Sequence, residues 1–464
     1  MKKGVVLALA LGVLLIPVAL LYASRFSKAA PTKANITVDT RRIISPLFQP
    51  WKALSQGGEE RGTRMIQPVI SQIKELAPRY IRIDHIYDNY DVVSRDSFGN
   101  LTFDFSKLDD TVCDILQTGA KPFLSLGYMP PTMSTDGTVI GAPKNWDEWT
   151  LLVQKTIERY SGRGTVMCGG AIGHALINTY YEVWNEPDLE QFGKWSIQGG
   201  KKDYKTLYYY SAQGAARAQS VNDFSLGGPA ITAAYKNWFQ TFLTYIAAQN
   251  LRIDFLSWHH YTNNPDNYLD DLASLNSWIP TELYGRFSAL PKIISEWGYD
   301  SNPNQKADTD LGAAYTVAAV RNMVSDQLSL AISFEVKDGP TRPSWGILSY
   351  QGEKKPRYNA LKLLNLLDGN RLMVTGEGTF VKALASTTAQ KTTVVLVNYD
   401  QDMNNVEDVP VTFTNLAPGT YQIHQTYASG QSSLIDNLLV TETSLSRTFL
   451  MPPNSVLALE LLKK

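Results

Sequence analysis

At 464 residues and 44% hydrophobic content, the chain is long enough for one large domain and a small one, each with its own core. The balance of 43 Lys+Arg against 44 Asp+Glu, a formal net charge of −1, excludes the basic excess of a nucleic-acid binder and the acidic run of a disordered tail. Ten Trp and 24 Tyr suit stacking on sugar rings and equally suit a large core.

Residues 1–30 stand apart. Lys2 and Lys3 precede an uncharged stretch from Val5 to Tyr22, and Arg25 and Lys28 follow it. This is an export segment, either a signal peptide with Ser27-Lys28-Ala29 as its small-residue site or an uncleaved anchor attaching the chain to a membrane through residues 5–22. Both put the remainder outside the cytoplasm, secreted or membrane-anchored. Cys113 and Cys168 are too few for a disulfide framework in so long a chain and are read as buried free thiols, with pairing as the alternative in an oxidising compartment. The histidines His85, His174, His259, His260 and His424 form no HExxH and have no CxxC companion, so neither a metal nor another cofactor is expected.

Beyond the leader, residues 34–39 alternate apolar and polar as a strand, and 51–62 form a Gly- and charge-rich loop. Strands and helices then take turns. Helical spacing at 65–76, 108–117, 146–160, 204–220, 235–249 and 311–325 alternates with strand-like runs at 80–83, 122–126, 179–184, 225–228, 255–258, 293–294 and 331–336. With a first strand somewhere in 43–54, this makes eight β–α units over roughly 300 residues, the pattern of a (β/α)8 TIM barrel spanning 31–365. A doubly wound sheet is the alternative. The barrel is preferred because polar residues gather at the carboxyl ends of several strands, where barrel active sites lie. Beyond 365 the period becomes two, at 380–384, 392–398, 409–414, 421–426 and 456–461, and reads as an antiparallel β-sandwich spanning 366–464 that the strand at 34–39 can join.

Two strand ends carry the chemistry. In Tyr181-Glu182-Val183-Trp184-Asn185-Glu186-Pro187 the proline stops the ladder and leaves Glu186 at a strand end. In Lys292-Ile293-Ile294-Ser295-Glu296-Trp297-Gly298 a second apolar strand ends in Glu296. Two such carboxyls, at the ends of the fourth and seventh strands, are what glycoside hydrolysis needs, one to protonate the leaving oxygen and one to attack carbon or activate water.

With those residues in view the chain resembles clan A of the glycoside hydrolases and, within it, family 39, the β-xylosidases and α-L-iduronidases. Glu182-Val183-Trp184-Asn185-Glu186-Pro187 resembles the family's acid/base motif, and Ser295-Glu296-Trp297 its nucleophile motif. Leu126-Gly127-Tyr128-Met129-Pro130 is similar to its third-strand region, and Ser257-Trp258-His259-His260-Tyr261 to its Ser-x-His-x-Tyr segment. The resemblance implies a retaining hydrolase of an extracytoplasmic oligo- or polysaccharide, β-xylosidase-like or acting on exopolysaccharide, with Glu296 as nucleophile and Glu186 as acid/base. Asn185 is the expected donor to the sugar 2-hydroxyl, or else a turn residue beside proline. Arg82 or Tyr261 is placed to stabilise Glu296, with Arg82 otherwise an ion-pair partner of Asp84 or another carboxylate. His259 bonds the nucleophile or a hydroxyl, or is structural. Trp297 and Trp345 stack on the sugar or fill core. Asp84, His85, Tyr128 and Glu335 are expected to face the pocket mouth.

The chain departs from the family pattern where Arg-Phe-His-Gly becomes Arg82-Ile83-Asp84-His85. It departs again where Ser125 stands for the glutamate of Glu-Leu-Gly-Phe-Met-Pro, and where the eighth strand offers Phe334 and Glu335 in place of tryptophan. Two other readings fit part of the pattern. One is an endo-acting family 5-like glucanase or mannanase, which shares Asn-Glu-Pro and His-x-Tyr. The other is an inactive barrel that binds glycans at the cell surface, against which the presence of both glutamates argues.

Overall fold

The computed structural model describes residues 30–57 and 60–464, so the apolar run at 5–22 lies outside the described residues. Among those described, no helix is long and apolar enough to cross a membrane. Eight parallel strands close into a barrel in chain order: Ala53–Gln56, Tyr80–Ile83, Lys121–Leu126, Thr179–Val183, Phe224–Ile231, Phe255–Tyr261, Lys292–Gly298 and Leu330–Phe334, the last pairing with the first. The first strand begins at Ala53. Most of the 43–54 window in which it is expected precedes it, because Ile36–Pro46 belongs to the outer sheet.

Helices cover the barrel and are capped by their sequence. Asn145 and Asp203 accept backbone N–H groups at the starts of Trp146–Tyr160 and Tyr204–Arg217, satisfying donors that the first turn leaves orphaned. Helix Asp310–Ser325 is buried around almost its whole circumference, since it lies between the barrel and the outer sheet.

The barrel interior is divided by chemistry. Its amino-terminal end is plugged by Ala53, Phe123, Phe255, Ile293, Leu330 and Ile332, with Tyr80 and Tyr180 packed on them. Phe123 stacks on Tyr180 at 5.2 Å, and Tyr180 meets Phe255 at 5.1 Å. Two residues further along the inward faces, the strands carry Arg82, Ser125, Glu182, Ser257 and Ser295, so the polar groups collect above an apolar floor.

Strict alternation fails at a decisive place in the seventh strand. Ser257 and Trp258 pair with Ile293 and Ile294, but His259 pairs with Glu296, which leaves Ser295 as an extra residue. The eighth strand records the same slip between Ile294 and Trp297. This bulge re-aims the strand: Glu296 turns inward beside His259, and Trp297 turns outward toward the helices.

Nine strands make the outer sheet, antiparallel except where Ile36–Pro46 runs parallel to Glu407–Thr414. One apolar cluster draws residues from both halves of this sheet, including Ile36, Val381, Val411, Ile423 and Leu457, so it folds over a core of its own as a sandwich. The period-two reading misses Ser432–Val440 because most of its residues are exposed on both faces. Val395, Val397, Ala428 and Val456 share a core with the barrel instead.

Cys113 and Cys168 form a disulfide with a Cα separation of 5.5 Å, which corrects the free-thiol expectation. Cys113 sits on helix Ser106–Thr118, and Cys168 lies in the tight turn between Val166–Met167 and Gly170–Ala171. Tertiary packing brings the two together across 55 residues. Closing a loop of that size restricts the unfolded chain by about 4 kcal/mol.

Candidate active site

Arg82, on the second barrel strand, is fully buried and must place its donors inside the protein. Its Nε donates to Glu182 Oε2 at 2.8 Å, Nη1 to Glu296 Oε1 at 2.7 Å, and Nη2 to Asn185 Oδ1 at 2.7 Å. The guanidinium thereby ties the second, fourth and seventh strands. Because Asn185 accepts from Arg82 through Oδ1, its Nδ2 must donate, and it does so to the Tyr128 hydroxyl at 2.9 Å. Tyr261 donates to the other oxygen of Glu296 at 2.8 Å. Gly298 makes room for that ring, since a Cβ there would lie 3.0 Å from Tyr261 Cε1.

Glu186 stands on a strained corner. Trp184 and Glu186 both have left-handed φ values, 72° and 42°, a region that non-glycine residues occupy at a cost. Surrounding bonds pin the corner. Ser125 Oγ donates to Trp184 O at 2.7 Å, Tyr204 OH to Val183 O at 2.9 Å, and the Glu186 N–H to Ala230 O at 2.9 Å. His259 Nδ1 lies 2.9 Å from Glu186 Oε1 and 3.5 Å from Glu296 Oε2, while its Nε2 has no partner among the described residues. The ring proton therefore belongs on Nδ1, facing both carboxyls. Burial pulls the His259 pKa down, but the charge of Glu296 and the bond to Glu186 outweigh it and leave it raised. Burial also pushes Glu296 up, against the opposing charges of His259 and Arg82.

Among the described residues, Glu186, His259 and Glu296 have donor atoms close enough, within 4.8 Å of one another, to hold a metal ion. The donor set does not suit one. Both Glu296 oxygens are already engaged by Arg82 and Tyr261, and a fixed guanidinium at 2.7 Å opposes a second cation.

The carboxyls open into a cleft of about 440 Å³ lined by Asp84, His85, Asn185, Glu186, Tyr261, Glu296, Phe334 and Trp345, among others. His85 is held by Asp88, its Nδ1 2.8 Å from Oδ2, and packs on Tyr128 with ring centroids 4.4 Å apart. Three expectations need correction. Trp297 is fully buried and packs on Tyr268 and Tyr315, because the Ser295 bulge turns it away from the sugar side. Tyr128 lies behind the cleft wall, where it orients Asn185. Glu335 is 3% exposed and is held from behind by Gln56, whose Nε2 donates to Oε2 at 3.2 Å. Burial raises its pKa well above the ordinary carboxyl value.

Sequence reasoning missed Glu182, whose signal was a charge inside an apolar strand that demands an internal partner. It also missed the far wall of the cleft, where Leu189, Gln191, Phe192, Thr232, Ser301, Asn302 and Arg342 come from loops with no periodic signal. Thr232 N donates to Asp188 Oδ1 at 3.1 Å and closes that wall against the Asn185-Glu186-Pro187 corner.

Comparison with known proteins agrees with this geometry. The profile of Glycosyl hydrolases family 39 matches residues 36–427. The chain belongs to family 39. A β-xylosidase of Caldicellulosiruptor saccharolyticus is 25% identical over 379 residues, 73% of each chain. One from Geobacillus stearothermophilus is 26% identical over 312 residues, 59% of this chain and 58% of the relative. The solved family 39 enzyme from Xanthomonas axonopodis pv. citri superposes with a TM-score of 0.76 at 20% identity, covering 95% of this chain and 99% of the other, and so shares the fold. This family 39 chain is a glycosidase, and its substrate is a carbohydrate.

Because Arg82 and Glu182 are both out of water, removing one partner strands the other as a buried charge. Arg82→Met is expected to cost about 3–5 kcal/mol of stability in a denaturant titration. The double variant Arg82→Met/Glu182→Met is expected to regain part of that loss without regaining activity. A double variant no more stable than the single one contradicts the pairing.

Proposed function

We propose that this family 39 enzyme hydrolyses β-xylosidic bonds with retention of anomeric configuration, outside the cytoplasm. The observation that carries the mechanism is that one oxygen of Glu186 and one of Glu296 lie within 4.8 Å of each other. Retaining enzymes hold their carboxyls about 5–5.5 Å apart, whereas inverting ones leave about 6.5–9.5 Å for a water between them. The xyloside is supported by the β-xylosidases among the relatives.

Glu296 attacks the anomeric carbon while Glu186 gives its proton to the departing oxygen. The covalent glycosyl-enzyme is then opened by water, from which Glu186 takes a proton. Arg82 and Tyr261 hold Glu296 in line and stabilise its charge before attack. Asn185 has one Nδ2 hydrogen on Tyr128 and the other left for a sugar hydroxyl in the cleft. Phe334 and Trp345 offer the ring apolar faces, and Asp84 and His85 offer hydroxyl partners.

Proton NMR of the first product from an aryl β-xyloside is expected to show the β-anomer, and an initial α-anomer overturns retention. Glu186→Ala is expected to lower kcat on substrates with poor leaving groups by about 10²–10⁴-fold. Azide should restore turnover as the β-xylosyl azide for Glu186→Ala and as the α-xylosyl azide for Glu296→Ala. The reverse pattern exchanges their roles.

Attack requires ionised Glu296, and burial raises its pKa from an ordinary value of 4.5. On the acid side, activity should therefore be lost as pH falls through that raised value. The acid limb of kcat/KM is expected above 4.5; a limb at or below that value contradicts the assignment.

The export segment and the Cys113–Cys168 disulfide support an extracytoplasmic site of action, since the cytoplasm keeps thiols reduced. Fractionation with thiol alkylation is expected to recover an oxidised protein outside the cytoplasm. A cytoplasmic, reduced pool is the contrary result.

A further inference from the structure

We infer that the protein carries a second carbohydrate-binding site, at the seam between the outer sheet and helix Asp310–Ser325, which takes a neutral oligosaccharide. A cavity of about 440 Å³ opens there, as large as the catalytic cleft. Its wall includes the amides of Gln425, Gln431 and Asn454, the Ser429 hydroxyl and the ring of Tyr427, with Asp310 as its single charged residue. Among the described residues of this wall there is no Lys, Arg or His, which rules against phosphate, sulfate or uronate ligands, since these call for cationic donors. One carboxylate without His or Cys is no metal site. Amides and hydroxyls that both donate and accept, beside an aromatic ring, match a polyol with alternating O–H and C–H faces.

Two features make this a built site. The Tyr427 hydroxyl donates to Leu450 O at 2.6 Å, which fixes the ring in the wall. Asn454 is 1% exposed, and its Oδ1 accepts from the Asp400 N–H at 3.0 Å, which orients the amide at the edge of the cavity. The tight turn that presents this residue has Asn454 at φ 52°.

Position argues for a role in handling long substrates. Asp310 opens the helix that follows the seventh strand, so the cavity faces the same side of the barrel as the catalytic carboxyls. The connection from that strand passes Ser301 and Asn302 in the cleft before reaching Asp310. A chain of sugars bound at the seam would thus be tethered on the catalytic face, raising its local concentration there.

Taking xylan as the ligand rests on the proposed xylosidase function. Gln425→Ala/Gln431→Ala in the full chain is expected to leave kcat/KM on an aryl β-xyloside within about twofold of wild type and to lower kcat/KM on xylohexaose about tenfold. Equal effects on both substrates, or no effect on either, overturn the second site. If wild type cleaves no xyloside, the xylosidase reading fails. The seam is then judged by saturation-transfer NMR of wild type and the double variant with xylo-, cello- and manno-oligosaccharides. A signal diminished in the variant sustains the site, and one unchanged or absent overturns it.

Discussion

A guanidinium shut away from water is the constraint on which the rest of this site depends. Taking Arg82 out of solvent costs several kcal/mol, a cost offset only if its donors meet well-placed acceptors. The acceptors come from three residues on two other strands, so their positions cannot drift independently. Glu182 supplies the counter-charge that leaves Glu296 available for chemistry. Without it, Glu296 would carry a larger share of the charge neutralising Arg82, beside Asp84, and would be held more tightly as an ion pair. Asn185 is oriented by the same group, and through it the amide hydrogen left for substrate. The corner bearing Glu186, strained at Trp184 and at Glu186 itself, persists because the neighbouring residues are locked in this way.

Much of this was legible in the sequence, for reasons that also explain where legibility ended. The alternation of apolar strand runs with helical spacing signals a parallel barrel, because each unit must bury one face against the next. Pro187 marks a strand end whatever the tertiary structure. Trp297 could not be read the same way. With Ile293 in the barrel plug, alternation puts Ser295 and Trp297 inward and Glu296 outward, the reverse of what the site requires. Only the extra residue at Ser295 inverts the pattern, and a bulge is set by pairing with neighbouring strands, which a single sequence does not display. Glu335 and Tyr128 follow strand ends whose local path no periodicity describes. The pairing of Cys113 with Cys168 likewise depends on a contact between a helix and a distant turn.

The division of the barrel interior sets the level at which catalysis happens. Apolar side chains fill the amino-terminal end, the inward layer above them is still fully buried, and the cleft opens above that layer, at Asp84, Asn185 and Glu296. Charged and hydroxyl-bearing residues occupy that layer, and an ion pair there is stronger than it would be in water, because the plug below and the helices around exclude solvent. The floor is thus part of the electrostatics of the site as well as of the stability of the fold.

The bulge is held from both sides. From within, Arg82 and Tyr261 grip the two oxygens of Glu296. From without, Trp297 packs between Tyr268 and Tyr315, and the Tyr315 hydroxyl donates to Gly298 O at 2.8 Å. Tyr268 OH donates to His260 O at 3.1 Å, on the neighbouring strand. Tyr399 of the outer sheet rests on Tyr315 and donates to Asn263 O at 2.7 Å, in the loop after the sixth strand. The outer sheet thereby braces the backbones that carry Tyr261 and Glu296. The tryptophan that the sequence offered as a sugar platform serves the site from behind, as the wedge that keeps an inserted residue, and with it Glu296, turned toward the cleft.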